Sequence, residues 1–173
     1  VTAEQIIQRL GLKPHPREKG FFVETYRSPE KLTWESLSAR YDGTRSCSTA
    51  IYFLLTQGGF SELHRLKSDE IFHFYSGSAA ELLLLYPDGE GQLIRFGYDL
   101  QNEERPQIVI PAGCWQGMKT TGEYTLFGCT VSPGFEYSDY EQGERAFLME
   151  KYPQFAETII QLTENKNSLG LDR

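Results

Sequence analysis

Apolar positions recur along this chain with two periods, and the change between them divides it into three parts. Residues 2–10, TAEQIIQRL, place Ile6, Ile7 and Leu10 on one helical face. Thr2 stands as N-cap with Gln5 three positions on, the spacing of a capping box, and Gly11 supplies a stop. Pro14 and Pro16 then force an extended connector. From residue 20 to about 131 the pattern is strand and turn. GFFVETYRS (20–28), SCSTAIYFLLT (46–56), EIFHFYS (70–76), QIVI (107–110) and the run from Tyr124 to Val131 are rich in aromatic and β-branched residues. Two further strands flank a Pro-Asp-Gly turn at 87–89. The polar stretch 29–45 predicts only a connection. Beyond the Pro133-Gly134 turn the helical period returns over 143–163, with a break at Pro153, and the polar tail NKNSLGLDR is expected to fray.

Many short strands with helices confined to the ends predict an all-β sandwich or barrel, not a parallel α/β sheet. The chain of 173 residues is expected to form one domain, with a barrel core over about 20–140 and a helical segment over about 143–163. A net charge of −7 argues against nucleic acid and anionic membrane surfaces as partners. Three cysteines, Cys47, Cys114 and Cys129, are an odd number without CxxC spacing, so a disulfide framework or structural zinc site is not expected. No apolar stretch reaches the length of a membrane span, and the expected location is the cytoplasm.

The candidate chemistry lies in GGFSELHRLKSDEIFHFYSG, residues 58–77. Residues two apart on a strand share a face, so His64 and Leu66 point together into the lumen, Glu70 on the returning strand can face them, and Gln116 reaches in from a third strand. Neutral imidazole suits a general base or a metal ligand. The same ring can equally be a buried histidine bonded to Glu70 or to a backbone carbonyl. An inward carboxylate at Glu70 needs a partner: His64, a metal, Arg95 or Lys67. His73 alternates onto the outer surface, and Trp115 is turned away from Gln116.

The spacing resembles that of the cupins, whose first motif has the form G-x5-H-x-H-x3–4-E-x6-G. Gly58, His64, Glu70 and Gly77 fit it, and Leu66 stands in the second His slot. Pro111, Gly113 and Gln116 fit the second motif with Gln in place of His, while Arg105 and Thr120 stand in its Gly and Asn slots. HRLKSDEIFHFYSG, VIPAGCWQG and GCTVSPGFEYSDYE further resemble a cupin subfamily long catalogued as a domain of unknown function, over roughly residues 3–163.

The resemblance implies a double-stranded β-helix, a small-molecule site in its lumen and association as a homodimer, with Phe21 to Val23 as an edge or swapped strand. A divalent metal held by His64, Glu70 and Gln116 is the cofactor it implies, at a reduced ligand set. Our expectation is an epimerase- or isomerase-like enzyme acting on a carbohydrate-like or anionic metabolite. His64 would be its base, Glu70 would orient that base, and Tyr52 or Tyr124 would be the opposed acid. Phe72, Phe74, Arg95, Gln116, Tyr52 and Tyr124 complete the expected ligand wall. A non-catalytic binding cupin and a metal-dependent enzyme with an incomplete ligand set are the alternatives.

Overall fold

The computed structural model describes residues 1–164; the tail expected to fray lies outside them. Helix α1 (Ala3–Leu10) begins at Thr2, whose side chain and that of Gln5 form the reciprocal capping box, and ends at Gly11 in the left-handed region. Thirteen strands follow: β1 (Lys13–Pro14), β2 (Phe21–Arg27), β3 (Lys31–Leu32), β4 (Arg45–Ser46), β5 (Thr49–Thr56), β6 (Phe60–Leu66), β7 (Asp69–Gly77), β8 (Ala80–Leu85), β9 (Gly91–Phe96), β10 (Gln107–Ile110), β11 (Trp115–Thr120), β12 (Tyr124–Ser132) and β13 (Tyr140–Gln142). Short helices α2 (Arg145–Lys151) and α3 (Ala156–Gln161) close the described chain. A 3-10 turn at Pro153–Phe155 separates them where the proline breaks the helical run.

Two antiparallel sheets carry the fold. One runs β1-β2-β5-β12-β7-β10 and the other β13-β6-β11-β8-β9, and β3 pairs with β4 apart from both. Strand alternation sorts the side chains. Phe53 and Leu55 of β5, Phe72 of β7, Leu82 and Leu84 of β8, Ile94 and Phe96 of β9 and Phe127 of β12 meet in the lumen. Their neighbours face outward and are covered. Leu83 and Leu85 lie with Trp115 beneath Leu148, Tyr152 and Ile159 of the C-terminal segment. Tyr52, Leu54, Tyr124 and Leu126 lie with Ile6 of α1. The unbroken Leu82–Leu85 run is therefore a strand buried on both faces.

Gly77 closes the β7 strand because nothing larger fits: a Cβ there would stand 2.3 Å from the Tyr124 carbonyl oxygen, at φ +99°. Strand β2 is not a free edge along its whole length. Its start pairs with β1, and Phe21 and Val23 pack against the α1 cluster while Phe22 turns toward the lumen. Two features were absent from the sequence pattern: the β3–β4 pair inside the polar connection, and β13, which pairs with β6 through Tyr140↔Leu66 and Gln142↔His64.

Candidate functional site

One end of the lumen is polar, and its centre is a residue from the connector. The chain turns sharply between Pro14 and Phe21. The His15 backbone N–H donates to the Gly20 carbonyl, and the Glu62 N–H of β6 donates to the Glu18 carbonyl at 2.9 Å. Lys19 and Gly20 are both left-handed, and a Cβ on Gly20 would lie 2.6 Å from the Phe53 ring, so the tight approach needs glycine. The turn inserts His15 and Glu18 into the barrel mouth. His15 Nδ1 accepts the backbone N–H groups of Arg17 (3.2 Å) and Glu18 (2.8 Å). Glu18 Oε1 then sits between two imidazoles, 3.7 Å from His15 Nε2 and 3.5 Å from His64 Nε2, while Oε2 accepts from Ser61 Oγ at 3.3 Å.

His64 is buried on β6, with Nδ1 2.7 Å from the Glu62 carbonyl oxygen. A carbonyl only accepts, so Nδ1 carries the proton and the neutral ring presents a lone pair at Nε2 toward Glu18. The Tyr140 ring stacks on it with centroids 5.1 Å apart. Across the lumen, Glu70 Oε2 accepts from Gln116 Nε2 at 2.5 Å. Gln116 is the register partner of His64 on β11. Its Oε1 and the Tyr140 hydroxyl are buried without a hydrogen-bond partner among the described residues.

Burial in this apolar setting dominates the titration. It pushes Glu18 up to about 8. Burial and then the nearby Glu18 charge push Glu70 up to about 7. Burial, with the neighbouring His64 and Arg17 charges, holds His15 down to about 4, and burial also lowers His64 against the pull of Glu70. Near neutrality the site therefore combines neutral imidazoles with one mostly protonated and one half-ionised carboxyl. A cavity of about 80 Å³ opens onto His15, Glu18 and Glu70, walled by Phe22, Ile51, Leu66, Cys129 and Val131 and covered by Phe135 and Tyr137. Arg27 stands at its rim, held by Glu24 (2.9 Å) and Glu136 (3.0 Å).

The expected site residues are distributed unevenly over this geometry. His64, Glu70 and Gln116 do converge inside the barrel. No hydrogen bond joins His64 to Glu70, however, and Glu18 rather than His64 borders the cavity beside Glu70. Phe72 and Phe74 point into the lumen but belong to its packed aromatic half. Tyr52 and Tyr124 are corrected: β5 and β12 alternation turns both onto the outer face under α1, where neither can act as the opposed acid. Arg95 is corrected as well. It lies on the exposed side of β9, paired with Glu104 at 3.3 Å, and reaches neither Glu70 nor the cavity. His73 faces outward onto Thr130 Oγ1 at 2.8 Å.

Periodicity missed His15 and Glu18 because they occupy a proline-flanked turn with no period of its own. The signal within reach was scarcity: the chain has three histidines, and two of them meet at Glu18.

Comparison with known proteins places this architecture. The family described as "Cupin superfamily (DUF985)" matches residues 4–143. The chain belongs to that family. An uncharacterised Saccharomyces cerevisiae protein, YML079W, is 32% identical over 150 residues, spanning 80% of this chain and 74% of the yeast protein. Two solved structures share 33% identity and a TM-score of 0.84. One is a hypothetical protein from Leishmania major, covering 95% of this chain and 100% of that one; the other is SO0799 from Shewanella oneidensis, covering 96% and 99%.

The motif spacing implies a divalent metal at His64, Glu70 and Gln116. Leu66 fills a ligand slot with a side chain that cannot coordinate, and the Gln116 amide turns its N–H groups toward Glu70. Among the described residues no cluster of three or more His, Cys, Asp or Glu could hold a metal ion. The residues at this end of the barrel do not fit a divalent cation.

Proposed function

We propose that this cupin moves protons on a small, neutral hydroxy-carbonyl compound, in an isomerase- or epimerase-like reaction carried by Glu18 and Glu70. The observation that carries the reading is the meeting of these two carboxyls, both raised to near neutrality, on one small cavity. General acid–base catalysis works best when the catalytic pKa lies near the working pH. Half-ionised Glu70 takes a proton from the carbon beside the carbonyl. The C–H electron pair forms the C=C bond, the carbonyl pair moves to oxygen, and protonated Glu18 supplies the proton that oxygen takes. Reversal on the neighbouring carbon gives an isomer, with no net redox change. In this scheme His64 is a positioning residue behind Glu18, a different role from the base expected of it.

Size and charge narrow the substrate. At roughly 10–15 Å³ for each enclosed water, the cavity has room for about six heavy atoms, the scale of a three-carbon sugar rather than a sugar nucleotide. Arg27, the arginine that lines the cavity, is already engaged by two glutamates, and the setting favours a neutral ligand over an anionic one. Incubation with glyceraldehyde, dihydroxyacetone and related short hydroxy-carbonyl compounds in D₂O, followed by proton NMR, tests the reading. Enzyme-dependent loss of the α-proton signal is expected in the natural chain and should vanish in Glu70→Gln. If no compound exchanges, catalysis of this kind is rejected.

A further inference from the structure

Glu18 and Glu70 exchange protons and His64 orients one of them, which leaves the carbonyl without a fixed neutral donor. We propose that His15 is that group: a neutral imidazole whose Nε2–H is held ready to hydrogen-bond the ligand's carbonyl oxygen. The inference rests on the acid–base reading of the same cavity and adds to it the chemistry that recognises the substrate.

The tautomer follows from the backbone. Two N–H groups, from Arg17 and Glu18, donate to Nδ1. A nitrogen that accepts twice carries no proton, so the neutral ring must carry it on Nε2. The ring is then fixed from three sides, edge-on to Phe22 at 4.5 Å and tilted against Phe53 and Tyr137 at 5.9 and 6.5 Å. No hydrogen bond joins the Nε2 edge to these three rings. The polar atom recorded against Nε2 is Glu18 Oε1, and 3.7 Å is too long for a hydrogen bond. A donor on a largely buried ring, locked in direction at a cavity wall, is what recognition of a ligand oxygen requires.

The chemistry favours a neutral donor. Burial beside Arg17 and His64 keeps the ring from protonating near neutral pH. An imidazole polarises a carbonyl through the transition state without handing over its proton, whereas an imidazolium would protonate the enediolate and compete with Glu18. No bond to His15 forms or breaks. Its hydrogen bond strengthens as charge builds on the oxygen, and the oxygen takes its proton from Glu18.

Two substitutions separate the ring's two edges. His15→Asn keeps an acceptor near Nδ1, and so the turn, but removes the Nε2–H; His15→Gln places an amide N–H near Nε2 and loses the turn acceptor. Losing one such donor typically costs 10²–10³-fold in turnover. His15→Asn should therefore lower kcat for α-proton exchange by about that factor, with a smaller change in KM and a smaller fall in melting temperature than His15→Gln shows. His15→Gln should melt earlier yet retain more of the exchange. Independently of turnover, ¹⁵N NMR of the Glu70→Gln variant should show His15 protonated at Nε2, with that resonance moving when dihydroxyacetone is added. Full exchange in His15→Asn, a proton on Nδ1, or an unmoved Nε2–H resonance overturns the proposal while leaving the carboxyl mechanism intact. A moving resonance in a chain that exchanges no α-proton leaves His15 as the recognising donor and rejects the catalysis.

Discussion

The two ends of the lumen are built on the same strands and behave as opposites. At one end, β7 contributes Phe72, which packs with Phe96 and Phe127 at centroid distances of 6.0 and 5.3 Å; Phe53 lies against Phe127 at 5.2 Å, and all four rings are almost wholly buried. Two residues earlier on the same face, β7 contributes Glu70, whose register partners are Ile110 on β10 and Val131 on β12. The barrel there holds two carboxyls, two imidazoles and a void of about 80 Å³. Dispersion and apolar burial stabilise the first end. The second keeps buried polar groups that weaken the fold and shift titrations toward neutrality. Alternation gives both ends the same inward geometry, so a two-residue step along one strand suffices to pass from scaffold to chemistry.

The largest break in this contrast should come from the filled end. Phe127→Ala removes a ring in contact with three other aromatic rings and should cost about 3–5 kcal/mol, read as a lower urea midpoint at unchanged slope. A loss below about 1 kcal/mol would mean that the aromatic half is not the main support of the barrel.

The polar end should show itself through pH. Glu18 and Glu70 bind protons in the folded chain that the unfolded chain, with carboxyls near 4.5, has already released. Stability therefore falls as pH rises from the unfolded value to the folded one. Below about 6.5 His15 and His64 act oppositely, because their folded pKa values are depressed and stability is lost as they charge on acidification. From pH 6.5 to 8 the carboxyls outweigh the remaining, opposite histidine effect. Stability should drop there by about 2 kcal/mol, mostly through Glu18. Glu18→Gln should flatten that slope in urea titrations at closely spaced pH; an unchanged slope would place the proton elsewhere.

The same contrast explains what could be read from the sequence. The filled end is written in period two: Phe72 and Phe74, Leu82 and Leu84, and Phe127 with Cys129 fall on inward positions that alternation alone identifies. The motif spacing likewise brought His64, Glu70 and Gln116 inside. Failure came where the side of a strand depended on register with a neighbour. Tyr52 and Tyr124 look like lumen residues until the pairing Phe127↔Phe53 fixes the opposite positions as inward. It came again in the turn before β2, since His15 and Glu18 are placed by backbone hydrogen bonds and a left-handed pair, to which hydrophobic periodicity is blind.

A smaller effect should sharpen the polar end by completing its ligand set. Leu66 borders the cavity beside Glu70, one alternation from His64. Leu66→His would add a third strong donor, and the variant should take up about one equivalent of Zn²⁺ or Mn²⁺ by elemental analysis. It should gain about 1.4 kcal/mol at metal concentrations ten times Kd. The natural chain should bind far less than one equivalent. Stoichiometric, tight metal in the natural chain would show that Leu66 is no barrier and would return His64, Glu70 and Gln116 to the role of ligands.

The smallest effects should come from residues that face away from the site. Tyr124→Phe and Tyr52→Phe keep their rings in the cluster beneath α1 and remove hydroxyls that no side of the cavity meets. Arg95→Ala removes a surface charge, more than half exposed, from a pair with Glu104. Each should change stability by less than about 0.5 kcal/mol and leave α-proton exchange at the natural rate. Exchange kinetics on the two tyrosine variants are decisive because these residues share strands with the cavity but not its face. A strong loss in either tyrosine variant would mean that the outer face communicates with the lumen, and sidedness of the strand would no longer separate support from chemistry.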